Sequence, residues 1–218
     1  MRVVLLICFS IAAVPPWRFS QPPVMGKCKP VSMRQSNGDE GCWILADRKV
    51  GSLGSAPVFW YVDRFASREA AEKALTPRST VVEALGKTWL LTVEREGWRI
   101  SAGERVGAIG PLPIDAAKQY SAQFMEAITN PGWTSEIHRH PGPEAWYTEG
   151  GETCLETPNG VMRGAPGAKP VIVPGGTPMH LTATGSEQRR ALVLVLHESD
   201  QPAGIMIHDW TPKGLCKR

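Results

Sequence analysis

From residue 120 to residue 176 the chain is cut at short intervals by glycine and proline. The groups are Asn130-Pro131-Gly132, Pro141-Gly142-Pro143, Gly150-Gly151, Pro158-Asn159-Gly160 and Pro174-Gly175-Gly176. Proline removes a backbone donor and glycine opens conformations closed to other residues, so each group ends regular structure and starts a turn. The segments left between them are too short for ordinary helices. Residues 120–128, 135–140, 145–148, 153–157, 171–173 and 192–197 read as strands. Short strands at regular spacing predict an all-β sandwich or barrel.

The first half is less regular. Residues 57–62, PVFWYV, are aromatic and β-branched and predict a strand. Further strands are expected at 43–46, 80–84, 88–94 and 103–112, with a turn at Leu85-Gly86-Lys87. One helix is expected, over residues 68–75. Ser67 is its N-cap, Glu69 and Lys73 are an i,i+4 pair, and Thr76-Pro77 stops it. The chain therefore divides into a leader and lead-in at 1–26, a β-rich region with one helix at 27–115, a barrel at 116–200 and a tail at 201–218.

Residues 3–14, VVLLICFSIAAV, are almost unbroken apolar sequence behind a single Arg2. A helix needs about 20 such residues to cross a bilayer. The run fits the apolar part of a secretory signal, with Ser10, Ala12 and Ala13 near a cleavage point; a buried first strand is the alternative. Beyond it stand Cys28, Cys42, Cys154 and Cys216. An even count in an exported chain suggests disulfides, in the periplasm or outside the cell. Cys28 and Cys42 bracket a polar loop, and a bridge there stabilises by about 3 kcal/mol in the chain-entropy model. Cys154 with Cys216 would tie down the tail. Four reduced cysteines remain the alternative. The net charge of +3 includes no block of Lys and Arg, which argues against a nucleic-acid partner. Arg189-Arg190 reads as an isolated pair on a solvated turn.

His138 and His140 are two residues apart on an expected strand, so they share a face. After the Pro-Gly-Pro turn, Glu144 can return to the same space. Two imidazoles and a carboxylate suit a divalent transition metal. The full spacing, G-x5-H-x-H-x3-E-x6-G from Gly132 to Gly151, resembles the first signature motif of the cupin superfamily. The resemblance covers about residues 120–198. It implies a jelly-roll (double-stranded β-helix) barrel in which His138, His140 and Glu144 bind the metal. Iron, manganese, zinc or nickel all suit such ligands.

Residues 171–178, VIVPGGTP, resemble the approach to the second cupin motif, where a third histidine follows Thr-Pro. Here Met179 holds that position and His180 comes next. One residue of shift turns a strand side chain to the other face, so His180 reaches the metal only through a bulge. The resemblance implies either a metal-dependent enzyme acting on a small molecule, an oxygenase or isomerase, or a non-catalytic binding or sensing protein with a degenerate site. It also allows a homodimer through an exposed barrel face. Glu136 is expected at the rim. Glu126 is expected either behind the site or exposed on its strand. One of Trp146 and Tyr147 is expected to line the barrel. His197 reads as a strand-end surface residue, and His208 has no assigned role.

Overall fold

The apolar run at 192–197 lies inside a longer strand that is buried on both faces. A strand of that kind needs a layer on each side, and the rest of the fold supplies the two layers. The computed structural model describes residues 24–25 and 28–216. The apolar leader at 3–14 lies outside the described residues.

The first half contributes β1 (Val24–Met25), β2 (Lys29–Pro30), β3 (Gly41–Ser52) and β4 (Val58–Phe65). The helix α1 (Arg68–Glu72) follows, then β5 (Ser79–Ala84), β6 (Lys87–Arg95) and β7 (Glu104–Ile109). The second half contributes β8 (Gln119–Thr129), β9 (Thr134–Ser135), β10 (His138–Arg139), β11 (Glu144–Gly150), β12 (Glu152–Thr157) and β13 (Gly160–Gly164). It ends with β14 (Val171–Val173), β15 (His180–Thr184), β16 (Arg189–Glu198) and β17 (Ile205–Met206). The all-β class expected from the turn signals is what the chain adopts. The helix is shorter than the expected 68–75, and its cap is as read: the Ala70 N–H donates to Ser67 Oγ at 3.2 Å.

Three sheets form three layers. The central one has the order β14-β11-β16-β8-β3-β2, so β3 from the first half pairs along β8 in the second. On one side lies the sheet β1-β9-β15-β12-β13, and on the other lies β5-β6-β4-β7. Alternation along β16 assigns its side chains to two cores. Val193 and Val195 join Met125, Trp146, Leu155 and Leu181 inside the barrel. Leu192, Leu194 and Leu196 join Trp60, Trp89 and Phe124 against the outer sheet. Both expected disulfides, Cys28–Cys42 and Cys154–Cys216, are formed.

The single strand expected at 135–140 is broken. β9 pairs with β15 and β1, whereas β10 pairs with β17, and Glu136-Ile137 lie between them. The break lets the chain leave one sheet and carry the histidines over the barrel mouth. Among the described residues, no helix is long and apolar enough to cross a membrane.

Candidate functional site

The Pro-Gly-Pro turn is held from two sides. The Leu196 N–H donates to Pro143 O at 2.9 Å, and the Gly176 N–H donates to His140 O at 2.7 Å. A Cβ on Gly142 would sit 2.0 Å from the Leu196 carbonyl oxygen, so only glycine fits. Gly151, which closes the motif, has φ of +62° and would put a Cβ 2.6 Å from the Gln188 carbonyl. The two glycines therefore serve close backbone approach to β16, which fixes where His140 and Glu144 stand.

His138 and His140 come together edge to face, with ring centroids 4.9 Å apart. His140 is buried, and its Nδ1 lies 2.5 Å from Ala203 O. His138 is half-buried, and its Nδ1 lies 2.8 Å from Glu136 O. A carbonyl can only accept, so each Nδ1 carries the proton and each Nε2 keeps its lone pair. Burial lowers the pKa of His140, the Glu144 charge opposes this, and the nearby His138 adds to the lowering. Glu144 extends from β11 into the barrel, with Oε2 3.7 Å from His140 Nε2. Neither of those two atoms has a hydrogen-bond partner, though both are buried.

Buried polar atoms are nearly always partnered, so an orphaned acceptor pair facing across a cavity marks a place for something else. The donor chemistry fits a divalent metal: two imidazole lone pairs and a carboxylate, with both imidazoles oriented by carbonyls from behind. The spacing is looser than a closed site. Among the described residues, no three His, Cys, Asp or Glu side chains stand close enough together to enclose an ion.

His180 does not line this cavity; Met179 does. Met179 pairs with His138 through two backbone hydrogen bonds of 3.2 and 2.8 Å, and its side chain is buried in the barrel core. No bulge intervenes, so β15 turns His180 to the other face, opposite Glu156. Burial lowers the His180 pKa, and the Glu156 charge opposes this.

The cavity has a volume of about 330 Å³. Its walls are mostly apolar: Ile44, Met125, Trp133, Met179, Leu181 and Val193. The Cys28–Cys42 bridge forms part of the wall, with Cys42 Sγ 3.9 Å from Met125 Sδ. Glu136 is at the rim and exposed. Trp146 is the aromatic that enters the barrel core, while Tyr147 packs on the outer core with its ring 5.9 Å from Trp89.

Three residues differ from their sequence reading. Arg189 is not on a solvated turn; it begins β16 and is 2% exposed, inside the barrel. Its Nε donates to Thr153 Oγ1 at 2.5 Å, and its guanidinium lies 5.3 Å from the centre of the Trp146 ring. Its Nη2 has no partner. Burial lowers its pKa to about 10, with the Glu144 charge opposing, so the group stays charged near neutrality. The signal was available in the odd-numbered parity that Arg189 shares with Val193 and Val195. Glu126 is neither behind the site nor exposed. It sits on the outer face of β8 and joins Arg34 and the Leu85 N–H. His197 is buried rather than on the surface; its Nδ1 lies 2.9 Å from Gln201 O. His208 is exposed.

Two facing sheets enclose a cavity with His-x-His and a glutamate at one end, the all-β barrel arrangement that the motif's resemblance to the cupin superfamily implies. A scan against protein-family models found no match, and neither did a search of curated proteins. Partial matches among solved structures include oxalate decarboxylase from Bacillus subtilis, at 19% identity and a TM-score of 0.34. That alignment covers 43% of this chain and 25% of that one. The DMSP lyase DddQ from Ruegeria pomeroyi matches at 25% identity and a TM-score of 0.33, over 44% of this chain and 45% of that one. A cupin 2 conserved barrel domain protein from Salinispora arenicola matches at 17% identity and a TM-score of 0.32, over 40% of this chain and 82% of that one. The matched part is thus a quarter of the decarboxylase and under half of the lyase.

Proposed function

We propose that this protein binds a divalent transition metal through His138, His140 and Glu144 and takes a small molecule into the adjoining cavity. The observation that carries the reading is the orphaned pair His140 Nε2 and Glu144 Oε2, backed by the carbonyls that fix both imidazoles as metal-ready tautomers. The three side chains would have to draw closer than they stand to share an ion. When bound, such a metal supplies a Lewis acid with open positions for water or substrate. The chain's own part is to hold the ligands from behind, keep His140 neutral by burial, and exclude bulk water with the apolar wall. The two disulfides support export to an oxidising compartment, the periplasm or the exterior.

A second reading is favoured by Met179, a thioether standing where a further imidazole would complete the ligand set. Thioethers are poor partners for metals that prefer imidazole and carboxylate. On that reading the protein binds a small molecule without turning it over, as a sensor or carrier. Metal content of the purified protein, measured by plasma mass spectrometry, tests the first reading. The expected result is a transition metal at up to one per chain, lost by about tenfold or more in the folded His138→Ala/His140→Ala variant. Metal content unaffected by the double substitution removes these residues from the site.

A further inference from the structure

The orphaned histidine and glutamate are not the only unpartnered polar groups on the cavity wall. Arg189 Nη2 and Thr129 Oγ1 are also buried without a partner, and both residues line the same space. Arg189 is held for this arrangement. Thr153 takes its Nε and the Trp146 ring lies against its guanidinium, so the plane is fixed while one nitrogen is left free. Among the described residues, no carboxylate oxygen comes within 4.0 Å of it, whereas eight other Lys and Arg side chains have such a partner. A buried guanidinium without a contacting counter-anion is costly, because water no longer solvates the charge and the Thr153 hydroxyl, the Trp146 ring and the more distant Glu144 replace only part of that solvation. The planar fork of arginine matches a carboxylate in particular.

We propose that Arg189 is the anchor for the carboxylate of a small organic acid whose apolar body fills the cavity between Met125, Leu181 and Val193. This inference rests on the reading of the cavity as a ligand site. The Thr129 hydroxyl supplies a second donor toward the same group. The apolar wall selects against bare inorganic anions and against acids with no hydrocarbon body. The volume of about 330 Å³ stands at the low end of the range for ligand pockets, roughly 300–1,000 Å³, which sets the scale to a small metabolite. The ligand would reach from Arg189 toward the His140–Glu144 pair, presenting its far end to any metal held there.

The test is isothermal titration of the full chain with cyclohexanecarboxylate, cyclohexanecarboxamide and acetate. It uses the unmodified protein, Arg189→Met, Arg189→Lys and His140→Ala. The expected result is that the carboxylate binds about tenfold or more tightly than the amide or acetate. Arg189→Met should bind acid and amide alike, Arg189→Lys should recover part of the preference, and His140→Ala should keep it. No carboxylate binding, or equal binding of acid and amide by the unmodified protein, overturns the proposal without depending on whether any variant folds. A preference that survives Arg189→Met but disappears in His140→Ala also overturns it, because the acid then sits on the metal and the metal reading stands. An Arg189-dependent preference in protein that binds no metal leaves this inference standing and removes the metal.

Discussion

The two faces of the central sheet each bury a glutamate, and the two glutamates are treated differently. Glu126 is 1% exposed on the face that packs against the outer sheet, and Glu144 is 6% exposed on the face that lines the barrel. Glu126 is saturated: the Arg34 guanidinium meets one oxygen, and the Leu85 N–H donates to the other at 2.6 Å. Glu144 has an oxygen with no partner, facing a histidine nitrogen with none. The same contrast holds for arginine. Arg34 is paired with a carboxylate, while buried Arg189 keeps a free nitrogen. Burial alone therefore does not separate structural from functional charge. Satisfaction does: the outer face closes its charged groups Glu126 and Arg34 on one another, and the inner face leaves charged atoms of Glu144 and Arg189 unpartnered.

The largest expected effect breaks the outer pair. Glu126→Ala strands the Arg34 guanidinium, which is 8% exposed, and frees the Leu85 N–H. Removing one partner of a buried pair costs roughly 3–5 kcal/mol. For a chain of this size each kcal/mol lowers Tm by about 2–4 °C. Calorimetry should therefore show a Tm lower by roughly 6–20 °C. Metal and ligand affinity, measured on the fraction still folded, should be unchanged. A variant as stable as the parent would mean that the outer pair carries no more stability than the open inner one, and the comparison would fail.

The disulfides sharpen the contrast at the next scale. Cys154–Cys216 spans 62 residues and ties the tail to β12, where Glu156 also accepts the Leu215 N–H at 2.8 Å. Cys28–Cys42 spans 14 residues and forms part of the cavity wall. Loop-closure entropy gives about 4 kcal/mol for the long loop and about 3 kcal/mol for the short one. Serine pairs at both bridges should lower stability by such amounts in urea titrations. Only the pair at 28 and 42 should also weaken cyclohexanecarboxylate binding. Equal effects on binding from both would mean that the tail, not the wall, shapes the cavity.

What the sequence made legible follows the range of the forces involved. The strands between glycine and proline groups and the Ser67 cap depend on neighbours a few residues away, and local pattern is enough for those. The His138, His140 and Glu144 constellation was readable because the motif carries its own turn. Glu126 was not, since its partners Arg34 and Leu85 reach it only through tertiary packing of the first half on the second. Arg189 was hidden by the ordinary meaning of an Arg-Arg pair, which is a solvated turn; only the inward parity of β16 says otherwise. His180 is a matter of one position. Strand alternation without a bulge gives the cavity to Met179, and histidine count alone cannot reveal that.

The smallest expected effect on stability is the most informative. Glu144→Gln keeps the shape of the side chain and removes its charge. Two consequences oppose each other. A buried carboxylate oxygen without a partner is no longer charged, which favours the folded state. The Glu144 charge that acts on Arg189 from within the barrel is also lost, which disfavours it. With neither contribution resting on a formed hydrogen bond, stability should shift by less than about 1 kcal/mol in either direction. Metal content should fall with it, since an amide is a weaker ligand than a carboxylate for these metals. Urea denaturation and metal analysis on one preparation check both halves. A loss of stability as large as that of Glu126→Ala would show that Glu144 is a structural ion like its counterpart, and the open inner face would then have no claim to function.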